Sequence, residues 1–270
     1  MNDEDIKDLS LALIRTAQSA GELIMRYRAG DANVEYKTDG SPVTDADKAA
    51  EELILNDLAR LAPGLTAVAE ESASAIGSDF DADAPFFLVD PLDGTRGFVR
   101  GGEDFTVNIA LIRERYPVFG LIYAPATERL FLTLERAAAY TTQLQPSRGA
   151  PFTGLKMTPL KVRSPAPEKL TVLASSSHLN EKTAQFIEKL VIGETLQFSS
   201  SLKFCIVAEG VADVYPRLAP TCEWDTAAGQ AILAAAGGSV VEESGEPLSY
   251  GHVERKFLNP GFIAWGGVKP

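Results

Sequence analysis

The segment that most limits what this chain can become runs from residue 86 to residue 95: Phe-Phe-Leu-Val-Asp-Pro-Leu-Asp-Gly-Thr. Residues 86–89 are continuously apolar, the pattern of a strand buried on both faces. The run ends abruptly in two carboxylates, Asp90 and Asp93. A strand that stops in a tight turn displays such groups at a sheet edge, where Asp90, Asp93 and the Leu92 carbonyl can converge on one point. Hard cations such as Mg2+ take that mixture of oxygens. Gly94 lets the backbone approach a ligand closely. The N–H groups of Gly94 and Thr95 suit a phosphate if a helix begins there. The plainer alternative is a turn in which Asp and Gly serve only their turn preferences.

Other acidic positions bear on that choice. Glu70-Glu71 closes a short apolar run at residues 66–69; alone it reads as a solvated pair. Asp225 follows Trp224 and precedes an alanine-rich stretch; alone it reads as a helix N-cap. Thr44-x-x-Asp47 reads as a capping box. Each has a local structural account. Together, each at the end of an element, they point to a metal site built from several loops.

The rest of the chain supplies a scaffold. Residues 5–28 carry Ile6, Leu9, Leu13, Ala17, Ala20, Ile24 and Tyr27 at helical spacing. Thr44 opens a second helix, and Pro63-Gly64 closes it. Residues 105–112, 118–123 and 129–134 read as successive strands without intervening helices, hence an antiparallel sheet. Residues 143–168 are rich in Pro, Ser and Gly, and the expected boundary falls there: an α+β part at 1–150 and an α/β part at 151–270. In the second part, strands are expected at 170–174 and 211–215, and helices at 181–191, 202–209 and 225–236.

With 270 residues and a net charge of −12, the surface repels nucleic-acid phosphates. An anionic substrate then needs a locally reversed field, which bound cations supply. Cys205 and Cys222 make no disulfide framework and read as two buried thiols. No run approaches the ~20 apolar residues of a membrane helix, and the acidic start is unlike a signal peptide. The expected location is the cytoplasm, with peripheral attachment at the inner membrane left open.

The set Glu70-Glu71, Asp90-Pro91-Leu92-Asp93-Gly94-Thr95 and Trp224-Asp225 with Gly229 resembles the lithium-sensitive, Mg2+-dependent phosphomonoesterase superfamily that includes the inositol monophosphatases. Within it, Ser41-Pro42-Val43-Thr44, residues 105–111, Ser200-Ser201-Leu202-Lys203-Phe204, Tyr215-Pro216-Arg217 and residues 257–262 are most similar to the bacterial 3'(2'),5'-bisphosphate nucleotidase type. The resemblance implies a layered αβαβα sandwich. It implies hydrolysis of 3'-phosphoadenosine 5'-phosphate (PAP) to AMP and phosphate, in nucleotide recycling during sulfur assimilation.

It also implies roles. Glu70, Asp90 and the Leu92 carbonyl would hold a first Mg2+; Asp90, Asp93 and Asp225 a second; two or three ions per site are expected. Asp47 and Thr95 would orient the attacking water, with Glu70 helping. Glu70, Leu92, Asp93, Gly94, Thr95, Ser200, Lys203, Arg217 and Asp225 would meet a small nucleoside bisphosphate, in a monomer or homodimer. Lys203 and Arg217 suit a second phosphate; the bland alternative is a pair of surface charges. His178 is at most a substrate contact, His252 has no assigned role, and Trp224 and Trp265 read as core. The chain departs from the type at Arg96-Gly97, Ser176 and Ser199, which bears on substrate contacts rather than on metal ligands. The rival readings are an inositol or sugar phosphatase on the same scaffold and a catalytically silent metal-binding module. Thr95 and Asp47 beside the ligands argue against the silent module.

Overall fold

The computed structural model describes residues 3–30, 33–37, 40–135, 137–146, 155–163, 168–175 and 180–267. Helix α1 (Asp3–Ala29) is followed by a short hairpin, β1 (Val34–Tyr36) and β2 (Pro42–Thr44), and by helix α2 (Asp45–Leu61). The N-terminus of α2 is set by a capping box. The Thr44 hydroxyl accepts from the Ala46 N–H, and the Asp47 carboxylate accepts from the Thr44 N–H at 2.7 Å, so two otherwise orphaned donors are satisfied.

A seven-stranded sheet then forms in chain order from β3 (Thr66–Ala69), β4 (Phe86–Asp93), β5 (Thr106–Arg113), β6 (Tyr116–Ala124), β7 (Arg129–Glu135), β8 (Ala138–Gln143) and β9 (Thr158–Pro159). Only β3 and β4 pair in parallel; the other neighbours are antiparallel, as expected. Short helix α3 (Thr95–Val99) leaves the end of β4.

The second part holds β10 (Leu170–Ser175), α4 (Glu181–Ile187), β11 (Ile192–Phe198), α5 (Leu202–Ala208), β12 (Val214–Arg217), β13 (Thr221–Cys222), α6 (Ala227–Ala235), β14 (Ser239–Glu242), β15 (Leu258–Asn259) and β16 (Phe262–Trp265). Five of these strands make a sheet of order β11-β10-β12-β16-β14, parallel on one side and antiparallel around β16. The helix expected over 181–191 stops at Ile187, and the chain turns into β11 instead. The helix expected from Asp225 begins at Ala227, after a 3-10 turn at Glu223–Asp225. The strand expected from 211 begins at Val214.

Three apolar clusters order the layers. One packs α1 and α2 on the seven-stranded sheet, through Leu13, Ile24 and Ile54 against Val89, Ile109 and Leu121. A second lies between the two sheets and contains α5 and α6, with Leu88, Phe204, Ile232 and Phe262. A third seats α4 residues Phe186 and Ile187 on the far face of the five-stranded sheet. The result is the αβαβα sandwich. It explains the unbroken apolar run in β4: Phe86 and Leu88 serve the inter-sheet core, Phe87 and Val89 the α1–α2 core. Helix α6 rests directly on β6. A Cβ on Gly120 would lie 2.3 Å from the Ala228 carbonyl, so only glycine allows this approach, which brings the start of α6 to the end of β4.

Candidate active site

The end of β4 is built to project acid groups. Its pairing with β5 runs regularly to Asp90 opposite Asn108, then shifts, and resumes at Asp93 opposite Thr106. Pro91, which has no N–H for the ladder, falls inside this irregularity, where no ladder bond is lost to it. The Leu92 N–H donates to Asp90 Oδ1 at 3.0 Å. Gly94 has φ of +92°, and a Cβ there would sit 2.8 Å from the Asp104 carbonyl, so the tight turn requires glycine.

Around this turn, Glu70 from the end of β3, Asp90 from β4 and Asp225 from the turn before α6 each present an oxygen within 4.8 Å of the others. These groups lie far apart in sequence, and the fold brings them to one place. Asp93 and Leu92 line the same cavity, of about 360 Å3, together with Gly94, Thr95, Arg96, Ser199, Ser200, Lys203 and Arg217. Asp225 accepts from the Thr221 hydroxyl and the Cys222 N–H. It is therefore not the N-cap of α6; that position is taken by Thr226.

Burial and mutual repulsion both oppose ionisation here. Burial, with Asp225 nearby, pushes Glu70 up to about 7. Burial, then Asp225, pushes Asp93 up to about 6 against the pull of Lys203 and the Ser201 N–H. Asp90, 1% exposed, is raised well above the usual carboxylate range by burial and by Glu70, Asp93 and Asp225. Crowded carboxylates, Asp90 buried and the others half-buried, with a carbonyl beside them are an oxygen-only donor set, and this set fits a hard divalent cation.

Asp47 does not line the cavity. It stands behind Thr95, and its two oxygens are divided: Oδ2 accepts from the Thr44 N–H and hydroxyl, Oδ1 faces the Thr95 hydroxyl at 3.0 Å. Thr95 Oγ1 lies equally close to the Leu92 carbonyl. The capping-box account and the proton-relay account of Asp47 are therefore geometrically compatible.

Lys203 is not a surface charge. It is 2% exposed, its Nζ donates to the Ser200 carbonyl at 2.6 Å and lies over the Tyr215 ring, and burial lowers it to about 8. Arg217 is half-buried, with its Nε buried and unpartnered. Cys222 is half-exposed, unlike fully buried Cys205. Trp224 and Trp265 are buried, as expected, and His178 lies outside the described residues.

Two contacts escape sequence reasoning. Lys37 Nζ reaches Glu70 at 2.7 Å and Glu71 at 2.8 Å. The Ser201 N–H donates to Asp93 Oδ2 at 2.5 Å, and the Ser201 hydroxyl bonds Thr106 and Asn108. Lys37 sits in a polar loop without periodicity, and Ser201 meets Asp93 through its backbone N–H, which any residue could supply, so neither contact to an acid is marked in the sequence.

Carboxylates facing buried cationic side chains across one cavity are the chemistry of a metal-dependent phosphatase, and that is the class this fold and site define. The model of the inositol monophosphatase family matches residues 5–264, and the chain belongs to that family. It is 40% identical over 250 residues to 3'(2'),5'-bisphosphate nucleotidase CysQ of Salmonella typhimurium, covering 91% of this chain and 95% of that protein. It is 37% identical over 255 residues to the protein of the same name from Buchnera aphidicola, covering 93% and 91%. Among solved structures, CysQ from Bacteroides thetaiotaomicron superposes with a TM-score of 0.78 at 34% identity, covering 97% of this chain and 98% of that one. An inositol monophosphatase from Zymomonas mobilis gives 0.73 at 25% identity, covering 96% and 92%. No helix among the described residues is long and apolar enough to cross a membrane.

Proposed function

We propose that this chain is a Mg2+-dependent 3'(2'),5'-bisphosphate nucleotidase that hydrolyses PAP to AMP and phosphate. The observation that carries the reading is one cavity holding two poles. Glu70, Asp90 and Asp225 form a cation-compatible cluster, and Lys203 and Arg217 line the same space. A single phosphate needs only the first pole; a second phosphate gives the second pole its partner. The relatives named CysQ support the same substrate.

In this reading Glu70, Asp90, the Leu92 carbonyl, Asp93 and Asp225 hold two or three Mg2+ ions, which when bound lower the pKa of a water and offset charge on the phosphoryl oxygens. The chain's own residues do the rest. Thr95 has one proton and two acceptors at 3.0 Å, so its hydroxyl can receive a water proton while passing its own to Asp47 Oδ1. Burial raises Asp47, which suits a group that must accept that proton. The water oxygen then attacks phosphorus, the bond to the ribose 3'-oxygen breaks, and that oxygen takes a proton from solvent water to leave as the 3'-hydroxyl of AMP. Gly94, Thr95 and Ser200 flank the transferred phosphate. The two-part organisation belongs to the same proposal: 1–150 supplies most metal ligands, 151–270 supplies Asp225 and the basic contacts.

A phosphate-release assay over PAP, inositol 1-phosphate and sugar phosphates, with Mg2+ varied, tests the reading. PAP gives the highest kcat/KM, and Asp93→Asn nearly abolishes turnover while the fold survives. Preference for inositol 1-phosphate overturns the substrate; full activity of Asp93→Asn removes that residue from the site.

A further inference from the structure

We infer that Glu51 is a positioning residue for the acidic turn at Glu70-Glu71. The inference rests on the reading of Glu70 as a cation ligand. Glu51 follows Asp47 by one helical turn on α2, so the two carboxylates share a face, and both are buried. Each reaches the end of a different strand. Asp47 meets Thr95 beyond β4; Glu51 Oε2 accepts the Glu71 N–H beyond β3 at 2.8 Å.

The local chain explains why that bond matters. The β3–β4 ladder ends with Ala69 opposite Val89, and the Glu70 N–H still finds the Val89 carbonyl at 3.2 Å. The Glu71 N–H is the first one past the ladder, and Glu51 supplies its acceptor. Lys37 grips both glutamate side chains. The turn that aims Glu70 at Asp90 and Asp225 is thus pinned by a strand carbonyl, a helix carboxylate and an ammonium. A carboxylate buried beside Glu71 and Asp47 is an unfavourable choice for packing alone. Its placement makes sense as the anchor that keeps the Glu70 oxygen with its two partners. Outer partners of this kind change metal affinity by roughly 10- to 100-fold when removed.

The test titrates the chelator-treated full-length chain with Mg2+ by calorimetry. Glu51→Ala weakens Mg2+ binding by about 10- to 100-fold, with the circular dichroism of the parent and unchanged substrate KM at saturating Mg2+. Glu51→Gln, whose amide oxygen accepts the same N–H, binds like the parent. Glu51→Asp keeps the charge but withdraws the acceptor, and it weakens binding as Ala does; it serves if Glu51→Ala fails to fold. Parent-like affinity in Glu51→Ala or Glu51→Asp, or a loss in Glu51→Gln as large as in Glu51→Ala, overturns the inference. Glu70→Gln separates the two levels. If it weakens Mg2+ binding while Glu51→Ala does not, only the positioning role falls. If it binds Mg2+ like the parent, the ligand reading fails and the Glu51 role with it.

Discussion

Asp47 shows how one side chain can satisfy two accounts at once. Its Oδ2 closes the capping box of α2, and its Oδ1 meets the Thr95 hydroxyl. Thr95→Ala removes the proposed relay and is expected to lower kcat by about 10²- to 10⁴-fold with little change in KM for PAP; Thr95→Ser is expected to restore most of the loss in the same steady-state assay. Equal kcat in Thr95→Ala and the parent would rule the relay out. Gly94 is constrained differently. Its φ of +92°, and the 2.8 Å that would separate an added Cβ from the Asp104 carbonyl, make Gly94→Ala a backbone problem. Left-handed backbone alone costs about 1–2 kcal/mol for a residue with a Cβ, readable as a shifted urea midpoint. At this scale the cap at Asp47 is legible in the sequence, because Thr and Asp three apart before an apolar run have a local physics. The bond to Thr95, 48 residues away, is not, because nothing local encodes it.

Elements are readable where burial imposes a period. Helix α1 buries one face, and its apolar spacing announces it; strands β4 to β7 are covered on both faces, and their near-continuous apolar runs announce that. Strand β11 is an edge strand whose residues are mostly exposed, so no alternation marks it and the pattern of the preceding helix runs on past its true end. Strand β14 follows Gly237-Gly238 and β16 follows Pro260-Gly261, and both are too short to declare themselves. The start of α6 reads two residues early, because Asp225 has the chemistry of a cap while Thr226 holds the position. One contact between elements can be tested directly. Gly229 of α6 would place a Cβ 2.4 Å from the Phe204 ring of α5. Gly229→Ala therefore forces the helices apart, at about 1–3 kcal/mol. Because α5 carries Lys203, the KM for PAP is expected to rise more than kcat falls. Unchanged stability would mean that α5 yields freely.

For the molecule as a whole, the buried acids set the response to pH. Burial raises Glu70 and Glu223 to about 7, and burial with Asp225 raises Asp93 to about 6. The folded chain therefore holds more protons than the unfolded one from about pH 4 to 7, and stability falls as pH rises through that interval. Chelator-treated protein is expected to melt at a lower temperature at about pH 8 than at about pH 5. A divalent cation favours the ionised carboxylates, so the rise in Tm on adding Mg2+ is expected to be larger at about pH 8. Thermal scans at both pH values, with and without Mg2+, check this; a larger shift on the acid side would contradict it.

The Ser201 N–H on Asp93 ties the start of α5 to the end of β4, and Asp225 approaches the same spot from the turn before α6. The two banks of the cleft are thus riveted together by side chains and an amide that belong to the proposed site. Breathing of this joint and loss of competence become a single event. The Ser201 amide proton, bonded to Asp93, is expected to exchange with solvent only as fast as the cleft comes apart, and an occupant that spans both banks will slow its exchange in proportion to how tightly it is held.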